Sequence, residues 1–340
     1  MCSTALLVSL NASAVASVGS STRHQTAMAS RTTLPGTKCP IFPANNVWNT
    51  TITTLPVNAH SASWLASMSS ATTNLHPDYG PSGNSAHPYG IPWILVSPRT
   101  IFTRVTFLYA SESDRRLYPL SAATPIEGSS DRHAIMVDPA RSTNSLACTL
   151  FETYNTHYRT RGQSSADSGA IWNLNSNALR PATFTSADAA GLPILPGLVN
   201  YNQIATGAMN HAIRFTAQCT QRSFIWPARH EAGQSDSNCP PMGARFRLNA
   251  AFSLPASLCS AFCQTVVTTM KNYGLILADN GSNWYFQGTA DNRWTYAQVD
   301  QLKQIPASQF VAVDESCLMV SANSARALQP GTAGFAQRCS

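Results

Sequence analysis

The chain has 340 residues, 44% of them hydrophobic and 11% charged, with a formal net charge of +6. That much apolar material supports a core of its own, while the positive charge is almost all arginine, lysine occurring only as Lys38, Lys271 and Lys303. The charge forms no basic run or helix face, so nucleic acid is not an expected partner, and no apolar stretch is long enough to span a membrane as a helix.

Residues 5–16 are apolar and end in Ala14-Val15-Ala16, a small-x-small pattern typical of leader cleavage. Residues 1–16 therefore read as a signal peptide, although no Lys or Arg precedes Arg23. Residues 17–38 are Ser/Thr-rich and aperiodic, as in a flexible stalk. Cys2 falls in the leader, leaving Cys39, Cys148, Cys219, Cys239, Cys259, Cys263, Cys317 and Cys339. An even set behind a leader predicts four disulfides and a secreted, extracellular location. From 39 to 320 no linker or repeat interrupts the chain, so one β-rich domain is expected, followed by a loose tail over 321–340.

Short β-branched or aromatic runs predict strands over 91–96 and 104–109. Residues 132–137 and 148–153 form a second pair. If the two cross at a centre between them that puts Val137 opposite Cys148, Ile135 faces Leu150 and His133 faces Glu152. Residues 212–216 and 223–226 read as a third pair, with Phe215 opposite Phe224. Residues 275–278 and 283–287 flank Asn280-Gly281, a strong hairpin signal. One helix is expected from Ser253 and Pro255 to Gly274, with Leu258, Phe262, Val266 and Met270 on one face. A second is expected over 296–303. The fold class is all-β, a sandwich or jelly roll with one or two helices near the C-terminus, with α+β as the alternative.

Several residue types could carry chemistry. An imidazole across from a carboxylate suits acid–base work, which singles out His133, Glu152 and the neighbouring Asp131. His211 begins an alternating strand that also carries Arg214, and the expected hairpin brings His211 near His230 and Glu231. Glu112 and Asp114 share a strand face, while Glu127 and Asp188 sit in loops. Trp284 and Phe286 share another face and could stack on sugar rings. The histidines lack metal-ligand spacing, so neither a metal nor a cofactor is expected. Asp167-Ser168-Gly169 lacks the context of a serine-protease nucleophile and reads as a turn before a strand.

Further segments are Leu75-His76-Pro77-Asp78-Tyr79-Gly80, Asp131-Arg132-His133, Ser168-Gly169-Ala170-Ile171, the loop 185–198, His211-Ala212-Ile213-Arg214-Phe215, Pro240-Pro241-Met242-Gly243 and Ala278-Asp279-Asn280-Gly281-Ser282. Together they resemble a group of secreted, mostly bacterial proteins of uncharacterised activity, over about residues 40–315. The resemblance implies a single exported domain and no particular reaction. Export, a β-rich build and His–carboxylate pairing lead to the expected function, a carbohydrate-active enzyme and foremost a glycoside hydrolase. Its partner is a polysaccharide or other glycan. Asp131, His133, Glu152 and His211 are the catalytic candidates, and Arg214, His230 and Trp284 the substrate-binding ones. Two alternatives are a lyase on uronic polysaccharides, with Arg214 neutralising the carboxylate, and a non-catalytic glycan-binding or cell-surface module.

Overall fold

Strand alternation builds the layers. A computed structural model describes Met1 and residues 33–82, 89–139, 147–160 and 163–339, so the leader and most of the stalk lie outside the described residues. The first strands are β1 (His76–Asp78), β2 (Trp93–Leu95), β3 (Thr103–Arg104), β4 (Thr106–Phe107) and β5 (Leu117–Tyr118). The middle ones are β6 (Ala134–Asp138), β7 (Thr149–Tyr154), β8 (Ser165–Ala166), β9 (Ser168–Asn173), β10 (Ile213–Ala217) and β11 (Arg245–Leu248). The last are β12 (Leu275–Asn280), β13 (Tyr285–Gln287), β14 (Phe310–Val313), β15 (Met319–Ser321) and β16 (Ser324–Ala327). Five short helices accompany them among the described residues: α1 (Ser61–Ser67), α2 (Tyr201–Ala205), α3 (Ala261–Asn272), α4 (Tyr296–Leu302) and α5 (Ala333–Arg338). The fold is thus β-rich with few helices.

Two sheets dominate, one ordered β1-β13-β10-β12-β11-β14 and one ordered β2-β6-β7-β9. Because side chains alternate along a strand, the four-stranded sheet serves two cores. Ile135, Val137 and Leu150 join Phe215, Phe246 and Leu277 of the larger sheet in the main core. Ala134, Met136 and Phe151 turn the other way, onto Val105, Phe107, Tyr118 and Leu120.

The 132–137 and 148–153 segments do pair, but the register differs from expectation. Ile135 stands opposite Glu152 and Val137 opposite Leu150. The strands are slipped by two residues, which keeps every side chain on its expected face. The Asn280-Gly281 hairpin does not form. β10 lies between β12 and β13, parallel to the first and antiparallel to the second. All five residues of β10 are buried, and a strand buried on both faces belongs in the middle of a sheet. The chain crosses over β10 at Gly281, where a Cβ would come within 2.9 Å of Thr216. Residues 223–226 form no strand with β10; Phe224 bridges Met242 and the Trp226 indole donates to Ser324 O, so His211 does not face Ala228.

α3 is capped at Ser260, later than expected, and the Cys259–Cys263 disulfide spans its start. Gly274 ends it at φ +70°, as its position predicts. α4 carries a Thr295/Gln298 capping box. Packed structure begins before Cys39, since Leu34 is buried and Thr33 bridges Pro40. The segment beyond 320 is not loose either. β16 bridges Asn46 and Ala178, α5 buries Phe335, and Cys317–Cys339 closes the end. The other bridges are Cys39–Cys148 and Cys219–Cys239. The four pairs point to an oxidising environment. No described helix is long and apolar enough to cross a membrane.

Thiol titration of the unfolded, unreduced mature chain should detect no free thiol. Replacing Cys39 and Cys148 by Ser opens a 109-residue loop and should cost about 2–5 kcal/mol, read from denaturant unfolding. Two or more reactive thiols among these eight cysteines would contradict the pairing.

Candidate active site

Arg214 is the residue from which the site grows. It is the second residue of β10, with its side chain only 2% exposed, and a buried guanidinium requires partners. Nη1 donates to the Gln287 side chain at 3.0 Å. Nη2 lies 3.5 Å from Asp188 Oδ2 and 3.4 Å from Asp279 Oδ2. One nitrogen therefore draws two carboxylates together. Asp279 is the penultimate residue of the neighbouring strand β12, and Asp188 comes from the 185–189 loop.

The pair lies in a cleft of about 480 Å³ lined also by Tyr109, Glu112, Asp131, Tyr154 and His230. The Asp188 side chain is fully buried, whereas that of Asp279 is 25% exposed. Burial pushes Asp188 up to about 8, against the pull of Arg214 and with the charge of Asp279 adding to the rise. Asp279 is raised as well, first by burial, again against Arg214. The two groups therefore titrate as a coupled pair, each held above the ordinary carboxylate range chiefly by burial.

The loop bearing Asp188 is held carbonyl by carbonyl. Arg180 Nε donates to Thr185 O at 2.8 Å, and Ser168 Oγ to Ser186 O at 2.5 Å. His133 Nε2 reaches Ala187 O at 3.1 Å, and His230 Nδ1 reaches Ala189 O at 2.8 Å. Asp188 Oδ1 in turn accepts the backbone N–H groups of Ala190 and Leu192. The turn that follows needs Gly191, at φ +66°, where a Cβ would meet Phe184 O at 2.4 Å.

His133 is a brace and not a cleft residue. Its partner is Glu127, 2.6 Å from Nδ1, where Glu152 was expected. Both ring nitrogens face acceptors, so the ring carries both hydrogens. Burial disfavours its charge, but the Glu127 carboxylate more than offsets this and the pKa rises. Burial likewise opposes the Glu127 charge, and His133 outweighs it, leaving the carboxyl below its ordinary value. The raised His133 value gives stability that is full below 6.5 and is lost as pH climbs through the folded value; the depressed Glu127 value gives stability lost below 4.5. His133→Gln should therefore lower the melting temperature most between pH 4.5 and 6.5, with the difference shrinking at alkaline pH. An equal loss at pH 6 and pH 10 would show a neutral ring.

Glu152 is fully buried and accepts the N–H groups of Ile194 and Leu195. It anchors the 3-10 turn Leu195–Gly197 and does not reach the cleft. Burial raises its pKa against those hydrogen bonds. His211 is buried away from the cleft, 2.8 Å from Gln203 of α2, and burial drops it to about 4. It is a neutral core histidine. Trp284 is also a core residue. It stacks on Phe215, and its indole N–H donates to Met68 O. Phe286 is fully buried too. Asp114 is tied to Arg180 at 2.5 Å, so of the Glu112/Asp114 pair only Glu112 lines the cleft.

Of the residues selected from sequence, Asp131 and His230 line the cleft and Arg214 lies beneath it. Asp188 was noted only as a loop carboxylate, and Asp279 only as part of a turn. The available signal was Arg214 itself, a charge in an otherwise apolar strand that demands buried acids nearby. Among the described residues the metal-like grouping Cys219, Asp236 and Cys239 contains a disulfide pair. No family model, curated protein or solved structure matches the chain.

Proposed function

We propose that the chain is a secreted glycoside hydrolase whose acid is the Asp188–Asp279 pair. The observation that supports this is a pair of carboxyls converging on Arg214 with raised pKa values, at a cleft large enough for sugar units. Asp279, the member that reaches solvent, delivers the proton to the leaving glycosidic oxygen. Asp131, exposed on the same cleft, is the second carboxylate: it stabilises the positive charge that develops on the sugar ring and takes a proton from the water that adds to the anomeric carbon. Tyr109 and Tyr154 offer ring faces to the sugar, and His230 completes the polar lining. Arg214 is the positioning residue that holds the pair together. Membership of the exported, mostly bacterial group resembled above is part of the same proposal.

Four of the sixteen acidic residues, Glu112, Asp131, Asp188 and Asp279, line this one cleft. A uronic polysaccharide would be repelled there, and Arg214 is already occupied, so a lyase on uronates is the poorer reading. The substrate is a neutral or amino-bearing glycan.

Release of reducing ends from a panel of neutral, amino-bearing and uronic polysaccharides tests the proposal. Cleavage of a neutral or amino-bearing member is expected. The required proton is lost as the pair ionises, so turnover should fall as pH rises through about 8. An inert wild type that still binds glycans would instead indicate a binding module.

A further inference from the structure

A second cavity, of about 650 Å³, lies apart from the acidic cleft between α1 and the segment leading to Arg229. Trp64, Phe224 and Trp226 supply aromatic surface, and Asn58, Gln221 and Glu315 polar groups. Phe224 and Trp226 are part-exposed, while Trp64 and Glu315 are 4% and 3% exposed. Two buried polar atoms of these wall residues have no hydrogen-bond partner: Trp64 Nε1 and Glu315 Oε1. Leaving a buried donor and a buried acceptor unmet is costly, and native proteins rarely do so without a reason. The other Glu315 oxygen is held by Arg245 at 3.1 Å.

The ligand chemistry follows from this combination. Aromatic faces take up apolar C–H surface. An indole N–H needs an acceptor, and a carboxylate oxygen needs a donor. A sugar ring offers all three, since each hydroxyl both donates and accepts beside a flat C–H face. A purely apolar ligand would leave both buried atoms unmet. The chain segment also fits, because Ala228 and Arg229 line this cavity while His230 and Ala232 line the acidic cleft.

We propose that this cavity is a second glycan-binding site, in which a sugar unit stacks on Phe224 and Trp226 and, as the wall side chains shift to uncover them, hydrogen-bonds Trp64 Nε1 and Glu315 Oε1. From the proposed function it takes only that the ligand is a glycan. Burial pushes the Glu315 carboxyl up to about 7 despite Arg245, so near neutrality it serves as acceptor or donor to a hydroxyl.

The test measures retention of the full chain on washed particles of cellulose, chitin and β-1,3-glucan, beside hydrolysis of short soluble oligosaccharides of the same three types. Trp64→Phe keeps the ring and removes the donor; Phe224→Ala removes a stacking face. Wild type is expected to be retained by at least one particle type. Each variant should bind it about tenfold more weakly, the cost of one lost contact, with soluble hydrolysis unchanged. If Phe224→Ala fails to fold, Trp64→Phe decides. Unchanged retention of Trp64→Phe, or no retention of wild type by any particle, overturns the inference. Retention that the variants lose, by a protein that hydrolyses none of the oligosaccharides, supports this site and counts against the hydrolase alone.

Discussion

Asp279→Asn should reduce glycan hydrolysis by about a hundredfold or more, since a general acid typically supplies 10²–10⁴-fold. The amide keeps the side-chain shape and its acceptor for the Asn280 N–H, 2.9 Å away, but it has no proton to give. The melting temperature should change little, because the side chain is partly exposed and its contact to Arg214 is long. Asp188→Asn gives the contrasting result that separates positioning from catalysis. With Asp188 neutral at every pH, Arg214 acts on Asp279 alone and draws its pKa down. The alkaline limb of the rate profile then moves to lower pH, while turnover at acid pH survives. The stability effect has a definite sign as well. Asp188 is raised from 3.8 to about 8 in the folded state, so folding of the wild type grows more costly as pH rises through that interval. The Asn variant escapes this cost, and its stability relative to wild type should climb across the same interval. Wild-type activity in Asp279→Asn would remove the carboxylate pair from the mechanism.

Arg245→Met should be the most destabilising single substitution at a charged residue. The guanidinium is fully buried in β11 and donates to Val47 O, Thr50 O and Tyr273 O as well as to Glu315. It thereby fastens the N-terminal segment and the end of α3 to the larger sheet. Its removal leaves three carbonyls and a buried carboxylate unpaired, for which about 3–5 kcal/mol is the usual loss. In a domain of this size that corresponds to a fall of roughly 5–10 °C. Glu315→Gln should cost less, because the amide oxygen still accepts from Arg245. A melting curve for Arg245→Met within a degree of wild type would show that water replaces these bonds.

The sequence carries the faces of the strands better than their neighbours. A slip of two residues between β6 and β7 preserves every inward and outward position, so alternation alone cannot separate the observed register from the expected one. What decides it is the anchoring of Glu152 on the Ile194 and Leu195 N–H groups, 42 and 43 residues away in sequence. The Asn280-Gly281 turn misled for a related reason. The local signal favours a hairpin, but β10 is apolar enough to displace the partner and take the centre of the sheet. Two of the five described helices, α3 and α4, were legible; Gly274 ends α3 as expected, but its N-cap is Ser260 rather than Ser253, and the short α1, α2 and α5 were not expected. The cleft was half legible. Asp131 was selected as the neighbour of an expected His133–Glu152 pair and His230 through an expected hairpin that does not form, so both line the cleft for other reasons. Asp188 and Asp279 needed the tertiary fact that both converge on Arg214. His133, His211, Glu152 and Trp284 went the other way, into structural roles, since burial is what a residue at the edge of an apolar run meets most often.

Side-chain carboxyl NMR across a pH titration measures the central claim directly. The account predicts that the Asp188 and Asp279 signals titrate as a coupled pair, with one step near 8, and that either single Asn variant abolishes that late step. Two independent titrations, both complete below about pH 5 as for ordinary carboxylates, would contradict it and leave the cleft without its acid.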